Sequence, residues 1–267
     1  MSNNIFICGC GHSGTTLLWA MLSAYSRVYG IPYETYAFLN KENRNKKALS
    51  PVRGAIVNGY FSIFGKPVKD EFAYYRKSGF LSYTRTDKNI LEFFGKQHKQ
   101  AIKLGKDIVC EKTPRHILII DHIKRLFPQS HIVIIVRNGL DVVASIKAKP
   151  KSFDLGLRRW IEAGATLLEC RKKYPLHWLR YEDLISNPEL TLKDICRFCE
   201  LDYEDSILSY YKSSSVPGWH GKNRAELLHQ PLMDRRGRWK EILTDEEIAM
   251  IKNHAGDLMK YFNYEFN

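Results

Sequence analysis

The sequence predicts a three-layer α/β domain, a central parallel sheet flanked by helices, and three features carry that expectation. Residues 5–8 read as a buried strand that passes through a glycine-rich turn, 9–14, into a helical pattern over 15–27 with Leu18, Met21, Leu22 and Tyr25 on one face. The run HIVIIV at 131–136 is apolar on both faces, which suits a parallel strand covered on each side. Strand-like and helix-like segments then alternate to the end of the chain, the pattern of a sheet wrapped by helices.

The remaining elements follow in order. Residues 107–110 form a second short strand, and 115–127 a helix ended by Pro128. After the HIVIIV strand, 139–147 and 153–173 are helical and 176–179 strand-like, and 188–199 is a helix with Pro188 near its first turn. Thr244 followed three residues later by Glu247 is a capping box that opens a final amphipathic helix. The least regular stretches, 36–89 and 213–238, are rich in Gly, Pro and basic residues and are expected to be substrate-facing loops. A chain of 267 residues accommodates this as one domain, 1–267, with a basic, acceptor-facing insertion at about 36–106.

Composition narrows the class. Hydrophobic residues at 44% and charged residues at 26% are ordinary for a globular protein and exclude disordered chains. No run of 18 apolar residues and no basic-then-apolar leader is present, so a cytoplasmic protein with no membrane span is expected. The six cysteines lie in apolar surroundings and are expected to be reduced and buried; Cys196 and Cys199 share a helix without a second ligand pair, so no metal is expected. Of the net charge of +12, residues 41–106 hold 15 basic against 5 acidic side chains, which suggests an anionic partner: nucleotide, acidic glycan or nucleic acid.

The turn Gly9-Cys10-Gly11-His12-Ser13-Gly14-Thr15-Thr16 lies between a strand and a helix, where backbone N–H groups and the helix dipole gather an anion. It is P-loop-like, but Thr15 stands where nucleotide hydrolases carry the lysine that reaches β- and γ-phosphates. Arg137, at the end of the HIVIIV strand, offers a planar fork to phosphate oxygens, and Ser145 lies two turns into the next helix on a face that meets the same group. Taken by itself, an arginine at this position is more often an ordinary salt-bridge partner.

These motifs resemble those of the sulfotransferases that use 3′-phosphoadenosine 5′-phosphosulfate (PAPS), most closely the protein-tyrosine and carbohydrate branches. His12-Ser13-Gly14-Thr15-Thr16-Leu17 is similar to the 5′-phosphosulfate loop, with His12 where the family commonly has Arg or Lys, and Arg137 with Ser145 is similar to the 3′-phosphate motif. The resemblance implies donor contacts from Gly11, His12, Ser13, Gly14, Thr15, Thr16, Arg137 and Ser145. It adds Tyr181 in Arg180-Tyr181-Glu182-Asp183-Leu184, and Arg238 in Gly237-Arg238-Trp239-Lys240, with Arg236 and Lys240 left to solvent. A segment that usually offers a serine to the sulfuryl region has Arg224 here. Lys112-Thr113-Pro114 is similar to the family's Lys-x-Pro, whose lysine neutralises the leaving phosphate, and Tyr33-Glu34-Thr35 matches the position of the tyrosylprotein branch's basic Glu, with His12 as second candidate base. The resemblance covers 3–35 and 107–243 and implies sulfuryl transfer to a hydroxyl of a small-molecule or glycan acceptor, carbohydrate or otherwise anionic or polar.

Two other readings stay open on the sequence. One is a nucleotide or small-molecule kinase with a degenerate P-loop. The other is a nucleic-acid-binding protein using the basic segment, where Tyr60, Phe61, Tyr74, Tyr75 and Tyr83 interleave with the charge, although no nucleic-acid motif is present and no nucleic-acid partner is expected.

Overall fold

The computed structural model describes residues 3–38, 86–148, 152–214, 216 and 228–266. Most of the basic segment, with its five aromatics named above, and Arg224 lie outside the described residues.

Five strands form the sheet: β1 (Asn3–Gly9), β2 (Val28–Gly30), β3 (Ile108–Lys112), β4 (His131–Val136) and β5 (His177–Arg180). Their order is β2-β3-β1-β4-β5, and every neighbouring pair is parallel. The central strand, β1, pairs Ile7 with Lys112 on one side and Gly9 with Ile135 on the other. Alternation along β1 feeds two separate cores. Phe6 and Cys8 join Ile132 and Ile134 on one face, whereas Ile5 and Ile7 join Val133 and Ile135 on the other. That double burial is why these strands read as unbroken apolar runs.

Helices cover both faces: α1 (Thr15–Ser23), α2 (Asp87–Lys103), α3 (Ile120–Leu126), α4 (Gly139–Lys147), α5 (Phe153–Cys170), α6 (Tyr181–Ser186), α7 (Pro188–Phe198) and α8 (Asp245–Tyr261). Leu18, Trp19 and Leu22 of α1 pack with Leu192 and Ile195 of α7 on the Ile5 face, and Phe94 of α2, Trp160 of α5 and Met259 of α8 on the Phe6 face. The three-layer α/β expectation is met. Side-chain caps fix several helix starts: Thr86 accepts from Asn89 N, Asn138 from Leu140 N and Ser152 from Leu155 N, and Thr244 and Glu247 form the capping box expected for α8.

Other expectations are corrected. The helix begun at Thr15 stops at Ser23, and the chain turns into β2, whose three residues are too few to show a strand pattern. The expected helix over 115–127 starts as a 3₁₀ turn, Pro114–Ile119, before α3. The helix expected to reach 173 ends at Cys170. The segment 36–106 is not wholly an insertion: Phe38 and, from α2, Ile90, Phe94 and Ala101 belong to the core. All six cysteines are buried and none forms a disulfide among the described residues. Among the described residues no group of three or more His, Cys, Asp or Glu is gathered as a metal site, and no helix is long and apolar enough to cross a membrane.

Candidate active site

The loop after β1 and the segment after β4 meet because their strands are neighbours. A cavity of about 460 Å³ opens at the carboxyl ends of these strands, lined by His12, Gly14, Thr15, Thr16, Arg137, Ser145, Tyr181 and Arg238 of the expected set. This is where open parallel sheets hold ligands. His12 takes a left-handed backbone, φ 72°, and its Nδ1 lies 2.9 Å from Ser145 Oγ, joining the two motifs directly. Gly14, the residue before α1, has φ 95°, and a Cβ there would fall 2.6 Å from the Tyr181 ring. The first turn of α1 contains no acidic residue, which leaves its N–H groups and dipole to an anion.

Arg137 is buried and strongly held. Its guanidinium sits 4.5 Å over the Tyr181 ring, donates to the carbonyls of His12 and Arg235, and pairs with Asp141 at 3.4 Å; its carbonyl accepts from Trp160 Nε1 at 2.9 Å. Nε has no partner among the described residues. Burial pushes the Tyr181 phenol up, with the Arg137 charge opposing, so it stays protonated at neutral pH.

Gly11 and Ser13 are the two members of the expected donor set that do not line the cavity. The Ser13 side chain is fully buried beneath the loop, facing a crevice of about 10 Å³ lined by Trp160 and Gly164, with no partner for its Oγ among the described residues. At the carboxyl-terminal turn Arg238 lines the cavity, Arg236 is tied to Asp234 and Ser186, and Lys240 lies over the Trp239 ring.

Lys112 and Glu34 meet away from that cavity's walls. Lys112 Nζ, wholly buried at the end of β3, pairs with Glu34 Oε1 at 2.8 Å, and the Tyr36 hydroxyl donates to Glu34 Oε2. Below them Glu111 is fully buried, bonded to Thr35, Thr113 and His116. Burial by itself raises that carboxyl, but the His116 charge and these bonds more than offset it, and Glu111 titrates below its ordinary range.

Sequence reasoning missed Glu111, Arg235 and Asp141. Asp141 is 3% exposed and accepts from Gly237 N at 3.0 Å and Trp239 N at 3.3 Å while pairing with Arg137, so one carboxylate sets two cations of the cavity. Its position on the first turn of the helix that follows Arg137 was the available signal.

Residues 4–205 match the model of the sulfotransferase family. A protein of Aquifex aeolicus (strain VF5) bearing only the name "Uncharacterized protein" is 29% identical over 236 residues, covering 78% of this chain and 27% of its own. Protein-tyrosine sulfotransferase 1 of Danio rerio is 26% identical over 227 residues, covering 77% of this chain and 55% of its own. The chain thus spans about half of the tyrosylprotein relative's length and less of the Aquifex protein's. Among solved structures, the sulfotransferase domain of the Synechococcus PCC 7002 olefin synthase superposes with TM-score 0.70 at 20% identity, covering 98% of this chain and 95% of that one. A mouse sulfotransferase complexed with PAP gives 0.51 at 12%, covering 97% and 85%. These likenesses are of fold.

Proposed function

From the premise that the chain belongs to the sulfotransferase family, we propose that it transfers a sulfuryl group from PAPS to a hydroxyl of a carbohydrate or other polar or anionic acceptor. The observation that carries this reading is the convergence of the loop after β1 with Arg137 and Ser145 on one cavity, sealed by the 2.9 Å contact of His12 with Ser145. A donor with phosphate at both ends needs two such sites; a kinase with this loop lacks its lysine.

In this reading the N–H groups at the start of α1, with Thr15 and Thr16, hold the 5′-phosphosulfate, and Arg137, Ser145 and Arg238 hold the 3′-phosphate. The acceptor oxygen attacks sulfur as the bond from sulfur to the bridging phosphate oxygen breaks, and the electron pair leaves on adenosine 3′,5′-bisphosphate (PAP). Lys112 neutralises that developing charge, and Glu34 takes the acceptor proton, with His12 the second candidate. Such loose transfers depend on positioning and charge neutralisation more than on covalent help. Glu34 Oε1 lies 2.8 Å from Lys112 Nζ, so the proposed base and the proposed leaving-group cation stand side by side.

Calorimetry with PAP tests the donor site, and transfer of labelled sulfate from PAPS to an acceptor panel tests the reaction. Arg137→Ala is expected to weaken PAP binding about a hundredfold, since a buried phosphate fork is lost. Lys112→Ala is expected to bind PAP and transfer nothing. A parent protein that does not bind PAP overturns the reading. A tyrosyl acceptor is a second reading, favoured by relatives that bear the name protein-tyrosine sulfotransferase, so the panel includes tyrosyl peptides beside glycans.

A further inference from the structure

We infer that Glu111 is a positioning residue for the Glu34–Lys112 pair, acting through Thr113 and Thr35 to lock the backbone of residues 35–37 over the end of β3. The inference rests on the reading of Glu34 and Lys112 just given.

An ionised carboxylate has no proton to give, so each hydroxyl that bonds it must donate. Thr113 Oγ1 donates to Glu111 Oε1 at 2.5 Å and Thr35 Oγ1 to the same oxygen at 2.9 Å. Each threonine oxygen is thereby left with lone pairs alone, and these face backbone amides. Thr113 Oγ1 accepts from Thr35 N at 3.0 Å and Tyr36 N at 3.4 Å, and Thr35 Oγ1 accepts from Ala37 N at 3.1 Å. Three consecutive N–H groups are thus satisfied by hydroxyls whose direction one buried charge dictates. The segment they fix carries Glu34 at one end and Tyr36, held at φ 47°, within it; both reach the pair at Lys112.

His116 completes the hub from the other side. Its Nδ1 bonds Glu111 Oε2 at 3.0 Å, while its Nε2 is buried with no partner among the described residues. The carboxyl's lowered titration agrees with an anion kept for this purpose. The Glu111 oxygens are taken up by Thr35, Thr113 and His116, so it acts through the loop.

The test compares Glu111→Gln, Thr113→Val and Thr113→Ser with the parent. PAP binding by calorimetry, expected within about twofold of the parent in all three, certifies the fold. Amide exchange at residues 35–37 is expected to speed up by about tenfold in Glu111→Gln and Thr113→Val and to stay near the parent in Thr113→Ser, which keeps the hydroxyl. Acylation of Lys112 by acetic anhydride, read by mass spectrometry, is expected to rise in the same two variants, because a loosened Glu34 unmasks the amine. In transfer assays these two lower kcat about tenfold with the KM for PAPS unchanged.

Exchange and acylation at parent rates in Glu111→Gln and Thr113→Val overturn the inference, and so does faster exchange with unchanged kcat. Should Glu111→Gln fail to fold, the contrast between Thr113→Val and Thr113→Ser decides. A parent that binds no PAP or transfers no sulfate sinks the donor reading alone, and exchange and acylation still judge whether Glu111 holds the pair.

Discussion

Gly14→Ala puts a number on the closeness between the loop and α6. Alanine must adopt φ near 95°, which L-residues avoid at a cost of about 1–2 kcal/mol. Its Cβ would also stand 2.6 Å from Tyr181 Cδ2 and 3.3 Å from Ile135 Cδ1. The Tyr181 ring cannot swing away cheaply, being 4% exposed and covered by the Arg137 guanidinium, so overpacking adds about 1–3 kcal/mol. The expected loss is about 2–5 kcal/mol, or roughly 5–15 °C in Tm for a chain of this size. Because the strain is relieved by moving the loop or Arg137, PAP affinity is expected to fall at least about tenfold as well. Gly11→Ala is the control: nothing lies within 4 Å of its built Cβ, and it is expected to change stability by less than about 0.5 kcal/mol. Urea unfolding and calorimetry with PAP measure both effects. If Gly14→Ala matched Gly11→Ala in stability and affinity, the packing of Tyr181 on this loop would be wrong.

Asp141→Ala should cost about 3–5 kcal/mol, because it strands buried Arg137 and frees the Gly237 and Trp239 amides; urea unfolding reports it, with a weakened PAP isotherm alongside. The six buried thiols should react with a colorimetric disulfide reagent only as the protein opens, and all at once in denaturant; burial pushes the Cys196 thiol up to about 11 and Cys199 higher still. For Glu111, whose folded titration lies below that of an unfolded glutamate at about 4.3, the stabilisation is complete above that value and is lost as pH falls through the lower folded value. Stability measured from about pH 3 to 6 should therefore fall toward acid less steeply in Glu111→Gln than in the parent.

What was legible in the sequence was local. The glycine turn, the HIVIIV strand and the spacing of Arg137 and Ser145 are each read within a few residues, and the cavity is where those readings meet. Short elements were not legible: β2 has three residues and α6 has six, fewer than two full turns of a periodic pattern. In α2 the apolar face of Ile90, Phe94 and Ala101 is present, but Lys88, Lys96, Lys99 and Lys103 on the other faces gave the segment the look of a solvated insertion. Glu111 was passed over for a related reason. A glutamate beside a lysine reads as surface, and only the partners at Thr35, Thr113 and His116, one of them 76 residues away, make its burial affordable.

The strand order explains why the residues proposed to hold the donor and those proposed to react come from different parts of the chain yet share one end of the sheet. From β1 the chain departs to β2 and β3 on one side and then crosses to β4 and β5 on the other, so the ends of β3 and β4 diverge above β1. Arg137 follows β4 and Lys112 ends β3, while the loop carrying His12 and Gly14 emerges between them from β1. The register fixes their heights: Ile7 lies beside Lys112, and Gly9 beside Ile135, two residues before Arg137. A one-residue slip of β1 against either neighbour would exchange its two buried faces, sending Phe6 and Cys8 into the core built for Ile5 and Ile7. The packing that stabilises the sheet is therefore the same constraint that sets the loop between the lysine of one strand and the arginine of the other.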